Sequence, residues 1–265
     1  MASLTLHNGD CLEVMKGIAD KSIDLIICDL PYGCLTSKSS DTKLIDFRNP
    51  TNEVKKKITG CAWDIKIDLE AFWKQVKRIR KSDHSPTIHF TTTKFGYDLI
   101  SSNPDEFRYD LVWDKQRGVS FLTANKMPMR SHEMIYIFSK KGAYYNRVDI
   151  SGNFKAVGGG CKPSKVYGGA VGEQGSPTNE GKRCAVSVIN ISNSAKKGNH
   201  PTEKPEALYR FLIERYCPAG GTVLDPTFGS GNSVFTAYDM DYNAIGIEMN
   251  DVFYKKADER LKSLA

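Results

Sequence analysis

Asp29-Leu30-Pro31-Tyr32-Gly33, directly after the apolar run Ile23-Asp24-Leu25-Ile26-Ile27-Cys28, brings three kinds of group together. The acid accepts hydrogen bonds, the proline stiffens the turn and the aromatic ring offers a flat stacking surface. Those groups suit the gripping of a planar base that carries an exocyclic amine. Asp and Pro after a strand are equally ordinary turn chemistry, so the reading depends on what accompanies this stretch elsewhere in the chain.

A second constellation lies near the C-terminus. Thr222-Val223-Leu224 reads as a buried strand running into Asp225-Pro226-Thr227-Phe228-Gly229-Ser230-Gly231, with a helix from about Ser233 to Tyr238. Glycines between a strand and a helix let the backbone approach a ligand, and the helix start offers free N–H groups. Ala244-Ile245-Gly246-Ile247-Glu248 is a further strand ending in an acid about twenty residues on, the offset at which a carboxylate meets a ribose diol. Before the first of these strands, His200-Pro201-Thr202-Glu203-Lys204-Pro205 leads into a helix from Glu206 to about Tyr216, with Leu208, Phe211 and Leu212 on its apolar face.

The elements that must position these groups follow from periodicity. Leu4-Thr5-Leu6 is a short strand, and Asn8-Gly9-Asp10 turns it into a helix from Cys11 to about Ile18, with Glu13 placed for a capping box. Asp10 therefore reads either as an N-cap or as a ligand-contacting acid. Leu69, Phe72, Trp73, Val76 and Ile79 have helical spacing and form a core face. Thr87–Phe90, Tyr109–Trp113 and Met134–Phe138 are strands, with a helical stretch from Phe95 to Ser101 after the first. A helix from Asp251 closes the chain.

Between these elements, residues 35 to 62 are polar and irregular, with Lys55-Lys56-Lys57 read as a solvated face. The stretch from Lys115 to Glu133 reads as a surface loop with concentrated basic groups, Lys126 and Arg130 among them. Residues 142–199 are glycine-rich, with Gly158-Gly159-Gly160 and Gly168-Gly169 and one convincing strand at Val186–Ile189. This segment is too long for a bare linker inside a compact domain and reads as a recognition insert.

Composition bounds the rest. The 265 residues, 40% hydrophobic and 26% charged with a net charge of +6, suit one α/β core and a polyanionic partner. No apolar run approaches a membrane span, and the start Met-Ala-Ser-Leu-Thr-Leu-His lacks a signal-peptide pattern, so a cytoplasmic setting is expected. Cysteines 11, 28, 34, 61, 161, 184 and 217 are scattered without a Cys-x-x-Cys pair, which argues for free thiols and against a structural metal.

Taken in order, Asp29-Leu30-Pro31-Tyr32, the His200–Pro205 stretch, Asp225–Gly231 and Glu248 resemble the signature set of the S-adenosylmethionine-dependent amino-methylating DNA methyltransferases of the β arrangement. Trp113-Asp114-Lys115 and His132-Glu133 are similar to the phage and restriction-type adenine methylases of that family. The resemblance implies a doubly wound, mostly parallel, seven-stranded sheet in circularly permuted order. Residues 1–141 would form the catalytic half, 142–199 the target recognition insert and 200–265 the Rossmann-like cofactor half. The N-terminal strand would fill the vacancy beside the strand that carries Glu248.

The same resemblance assigns roles. Asp29, Leu30 (through its carbonyl), Pro31 and Tyr32 would be catalytic, acting on adenine N6 of flipped-out bases in double-stranded DNA. Asp10 would lie near the cofactor adenine and Glu248 at the ribose. Asp225 and the backbone of Phe228, Gly229 and Gly231 would hold the methionine end, with Thr202 and Lys204 near its carboxylate. Lys126 and Arg130 would contact DNA, and the family permits a homodimer. Two departures stand out: Leu30 replaces a usual proline, and Thr227-Phe228 stands where Phe-Ala is usual. Cytosine N4, RNA or a protein glutamine as the methyl acceptor, and an inactive DNA-binding relative, are the alternatives.

Overall fold

The structure is a computed structural model that describes residues 2–32, 66–119, 121–151, 182–193 and 203–264. The cofactor residue expected at Thr202, the polar stretch 35–62 and the glycine-rich middle of the insert lie outside the described residues.

The N-terminal strand β1 (Leu4–Asn8) leads through Gly9 into α1 (Cys11–Lys16). Asp10 caps this helix, accepting the Leu12 N–H at 2.8 Å. The capping box is not completed: Glu13 turns outward to Lys16 at 2.7 Å, a solvent-side pairing that costs the exposed acid no desolvation. Strand β2 (Leu25–Cys28) ends just before Asp29, and α2 (Leu69–Ile79) starts at an Asp68 cap that accepts from Glu70 and Ala71. Strand β3 (Thr87–Thr91), α3 (Thr93–Ser102), β4 (Phe107–Val119) and β5 (Arg130–Phe138) follow.

A two-residue pair, β6 (Ile150–Ser151) with β7 (Lys182–Arg183), stands apart from the main sheet. Strand β8 (Val188–Asn190) returns to the body. The C-terminal part runs α4 (Glu206–Tyr216), β9 (Thr222–Asp225), α5 (Asn232–Asp239), β10 (Asn243–Glu248) and α6 (Asp251–Lys262).

The main sheet has the order β1-β10-β9-β2-β3-β5-β4-β8. β1 pairs parallel with β10, which fills the vacancy expected beside the Glu248 strand. Only the β3–β5 and β5–β4 pairings are antiparallel. An eighth strand exceeds the seven expected. Val188–Asn190 pairs parallel with Val112–Asp114, because Ile189 buries its side chain in the core and so ties the end of the 142–199 stretch to the main sheet. The beginning of the insert is tied too: the Tyr144 N–H donates to the His84 carbonyl at 2.8 Å and the Asn146 N–H to the Arg215 carbonyl at 2.7 Å.

The unbroken apolar run of β2 follows from burial on both faces. Leu25 and Ile27 pack with Leu208, Leu212 and Phe235 of α4 and α5, whereas Ile26 and Cys28 pack with Met15, Phe72 and Val76 of α1 and α2. Chain reversal decides where the ligand crevice lies. From β9 the chain crosses through α5 to β10, and from β2 it crosses through α2 to β3, on opposite faces and in opposite directions. The carboxyl ends of β9 and β2 therefore diverge at a topological switch point, where open α/β sheets bind ligands. Asp225–Gly231 and Asp29–Tyr32 are the loops that face each other there.

The stretch from Lys115 to Glu133 departs from the expected surface loop. Its flanks extend β4 and β5 into a long hairpin, with Val119 paired to Arg130 after a register shift. Thr91 of β3 faces Met134, so β5 residues before Met134 project past the carboxyl end of β3 on the crevice side. Lys115 is buried rather than solvated, because the carboxylate of Glu133 pairs its amine.

Candidate active site

At the switch point a cleft of about 330 Å3 is lined by Asp10, Asp29, Pro31, Glu203, Lys204, Tyr209, Phe228, Gly229, Glu248 and Phe253, among others. That volume lies within the range of small-ligand clefts, roughly 300–1,000 Å3. One cleft thus unites residues expected to be catalytic with residues expected to hold a cofactor. A hydrogen bond ties its two loops together: the Thr227 hydroxyl donates to the Asp29 carbonyl at 3.2 Å. That contact gives a physical reason for threonine at the position where the family carries phenylalanine.

Phe228 compensates on the other side. Its ring packs where a Cβ on Gly246 would lie 2.7 Å away, so glycine in β10 makes the room. Gly229 and Gly231 take φ values of +53° and +84°, which glycine adopts without strain. The donors expected to hold the methionine end are already used within the protein. The Phe228 N–H donates to the Ile247 carbonyl at 3.1 Å and the Gly231 N–H to the Phe228 carbonyl at 2.9 Å. The Gly229 N–H donates to Glu248 Oε2 at 2.9 Å.

Glu248 is pinned a second time by the Asn250 N–H, at 2.7 Å to Oε1. Burial raises its pKa, against the pull of these backbone donors. Asp10 serves as the N-cap and also lines the cleft. Gly231 and Asp225 stand behind the cleft wall. Asp225 is 3% exposed, accepts the Thr227 N–H at 2.9 Å and is held by the Ser233 hydroxyl. Its pKa is pushed up to about 7, chiefly by burial and further by Asp29 and Glu248, against the two hydrogen bonds.

The Asp225 proton is therefore bound more tightly in the fold than in the unfolded chain. The stability it contributes is full below the ordinary aspartate range and is lost as pH rises through about 7. Urea unfolding at pH 5 and pH 8 is expected to show this decline in the ligand-free protein, and Asp225→Asn to flatten it. An unaltered slope in the variant would assign the pH dependence to other groups.

Asp29 is the best-connected group in the cleft. Its Oδ1 accepts from the Tyr32 hydroxyl at 2.7 Å, and its Oδ2 is ion-paired with Lys204. Lys204 was expected at the cofactor carboxylate; its amine turns to Asp29 instead, because a fully buried ammonium requires a nearby anion. It also lies 4.5 Å from the centre of the Phe90 ring. Tyr32 packs its ring on Phe95, centroids 4.9 Å apart, and sets its hydroxyl 3.1 Å from the Phe90 carbonyl. Pro31 lines the cleft, while the Leu30 side chain is 1% exposed and belongs to the core on the α1–α2 face.

Lys126 is exposed on the hairpin, and Arg130 is half-buried at the start of β5 with Nη2 3.2 Å from the Thr93 hydroxyl. Neither lines the cleft. The sequence reading missed the contributions of Lys66, Ile67, Asp68, Tyr209 and Phe253 to the wall. Glu203 was within the quoted motif and unassigned. Its Oε1 accepts from Asn232 Nδ2 at 2.7 Å, and its Oε2 is buried in the cleft wall without a hydrogen-bond partner among the described residues. The residues fit S-adenosylmethionine: carboxylates at Asp10, Glu203 and Glu248 suit hydroxyls and a cationic end, and Ile67, Met249 and Phe253 give apolar surface for a ring.

A family model described as DNA methylase matches residues 23–259. The type II methyltransferase M.HpaI of Haemophilus parainfluenzae is 36% identical over 268 residues, covering 96% of this chain and 73% of that protein. M.HinfI of Haemophilus influenzae is 27% identical across 98% of this chain and 68% of its own length. M.SmaI of Serratia marcescens is 28% identical across 58% of this chain, and the match spans 46% of that protein, about half its length.

Among solved structures, the PvuII DNA methyltransferase, cytosine-N4-specific, has a TM-score of 0.64 at 17% identity, covering 98% of this chain and 86% of that one. The complex of M1.HpyAVI with S-adenosylmethionine has a TM-score of 0.58 at 16% identity, covering 97% and 99%. With its switch-point cleft, its acid-proline-tyrosine loop and the match over most of its length, the chain belongs to the N6/N4 DNA methylase family, whose cofactor is S-adenosylmethionine.

Proposed function

We propose that this protein is a site-specific methyltransferase that modifies the N6 amino group of adenine in double-stranded DNA. The observation that carries the reading is Asp29 at the mouth shared by both loops, with Tyr32 beside it. S-adenosylmethionine supplies an electrophilic methyl group when bound, with Asp10, Glu203, Phe228, Gly229 and Glu248 as its holding residues. The other work falls to the chain. An aromatic exocyclic amine is a poor nucleophile, because its lone pair is delocalised into the ring. The Asp29 carboxylate and the Leu30 carbonyl accept its two hydrogens and favour a tetrahedral nitrogen whose lone pair is free.

A base within the duplex does not reach the crevice, so the target is flipped out and its ring stacks on Tyr32. The tyrosine hydroxyl, bonded to Asp29, sets that ring's orientation. Adenine is the base favoured by an acid at position 29, where cytosine-modifying members of the family more often carry serine. Residues 1–141 and 200–265 act as the two halves of one catalytic unit, and 142–199 supplies target recognition.

Digestion of methylated duplex DNA to nucleosides is expected to yield 6-methyladenine. Recovery of 4-methylcytosine alone would move the acceptor to cytosine, and methyl transfer only to RNA or protein would end the DNA reading. The hairpin carries Arg117, Lys126 and Arg130 with no acid between Lys115 and His132. Lys126→Ala is expected to weaken DNA binding across all sequences and to reduce the slope of log K against log salt by about 1. An unchanged slope would remove Lys126 from the phosphate contacts.

A further inference from the structure

The Lys204 amine has two carboxylates within reach and is bonded to one. Besides its pairing with Asp29, Nζ lies 3.8 Å from Glu133 Oε2, an oxygen that is buried without a hydrogen-bond partner among the described residues. The other oxygen of Glu133 is ion-paired with Lys115. Charges therefore alternate in a line from the hairpin root to the reacting centre: Lys115 on β4, Glu133 on β5, Lys204 before α4 and Asp29 after β2. Lys115 is itself anchored, 8% exposed and 5.4 Å from the centre of the Trp113 ring.

We propose that Glu133 is a positioning residue that offers the Lys204 ammonium a second seat, so that the lysine withdraws from Asp29 while Asp29 holds the target amine. This rests on the methyl-transfer reading above. In the state described, both Asp29 oxygens already accept a hydrogen bond, and a charge-assisted bond is the strongest competitor for an acceptor. A buried ammonium has no water to move to and leaves one anion only for another. The unpartnered Oε2 of Glu133 is that anion. Closing 3.8 Å to an ordinary N–H···O distance takes about 1 Å of movement at the end of a flexible side chain. Lys115 takes up half of the Glu133 carboxylate, which keeps Glu133 from capturing Lys204 outright. The two seats are thereby near balance, and arrival of the amine at Asp29 tips it.

The groups facing the amine are Asp29, the Phe90 ring of β3, Glu133, Asp225 at the end of β9, and Tyr209 of α4, with Glu203 adjacent in sequence and Lys115 behind Glu133. Burial pushes the Lys204 pKa down, while Asp29, Glu133 and Asp225 push it up, with a net result above the ordinary lysine range. Loss of the Glu133 charge thus lowers it, and loss of the Lys115 charge raises it.

The test compares E133Q, E133D and K115M in the full chain. For E133Q, kcat on duplex DNA is expected to fall about tenfold or more, with the S-adenosylmethionine Kd by calorimetry unchanged. An NMR titration of the Lys204 ε-methylene in cofactor-free protein is expected to move to lower pH in E133Q and not in K115M. E133D, which keeps the charge, should recover part of the kcat and restore the Lys204 titration.

A wild-type kcat in E133Q overturns the proposal. So does a fall in kcat matched by cofactor affinity with an unmoved Lys204 titration, which is the signature of a merely structural pair. Should E133Q fail to fold, K115M decides in its place: a Lys204 titration moved to higher pH supports the second seat, and an unmoved one overturns it. A wild-type protein that methylates no duplex would instead sink the functional reading, and the cofactor-free titration would still test the second seat.

Discussion

Asp29→Asn is expected to reduce kcat for methyl transfer by about 100- to 1,000-fold, the cost of removing one acceptor or donor that acts on charge developing in a transition state. Asparagine keeps the shape of the side chain and an oxygen acceptor, so the fold and the Tyr32 contact are preserved better than by alanine. Asp29→Ala takes away the ion-pair partner of the Lys204 ammonium, leaving Glu133 3.8 Å off, and confounds chemistry with stability. Cofactor affinity is a separate measurement, and both variants should keep it nearly intact. If interactions at Asp29 are made only with the reacting amine, kcat and kcat/KM fall together. Turnover by Asp29→Asn close to that of the wild type would remove Asp29 from the catalytic role.

Leu30→Ala is the second large effect, and it falls on stability. The sequence suggests that only the carbonyl of this residue matters to the chemistry and that Leu30→Ala should be nearly as active. Stability is a separate matter, because the side chain is packed among Met15, Phe72, Val76 and Leu224 at 1% exposure. Truncating a buried leucine costs about 2–5 kcal/mol. In a chain of this size each kcal/mol lowers Tm by about 2–4 °C, so a fall of roughly 4–20 °C is expected. Leu30→Met, which conserves volume, should cost less than about 1.5 kcal/mol. Assayed well below its Tm, Leu30→Ala should still transfer methyl groups through the unchanged carbonyl. A variant that folds and binds cofactor yet is inactive would give the leucine side chain a part in the chemistry.

These two neighbours differ in how far sequence alone could carry them. Asp29 was legible because an acid at the end of an apolar run, followed by proline and tyrosine, has meaning in company with Asp225–Gly231 and Glu248. The burial of Leu30 was not, because a residue just past a strand end has no periodicity to place it in the core. Thr227 likewise looked like an irregularity until its hydroxyl was found on the Asp29 carbonyl. The hairpin from Lys115 to Glu133 was misread as a loop because its polar residues alternate poorly. Cross-strand pairing and the Lys115–Glu133 ion pair, both long-range in origin, hold its arms extended.

By itself the sequence determined most of the strands and helices, for which local properties suffice: apolar periodicity and helix caps. The two loops proposed to carry the chemistry, and the place of the N-terminal strand beside Glu248, followed from the resemblance of several motifs in order to one family. Tertiary structure alone decided which partners the buried charges take. Lys204 reads in the chain as a neighbour of the cofactor loop. Its amine is committed to Asp29, 175 positions away in sequence, with Glu133 standing by. A buried charge is stabilised by whatever opposite charge the fold brings within a few ångströms, and that distance is set by sheet order.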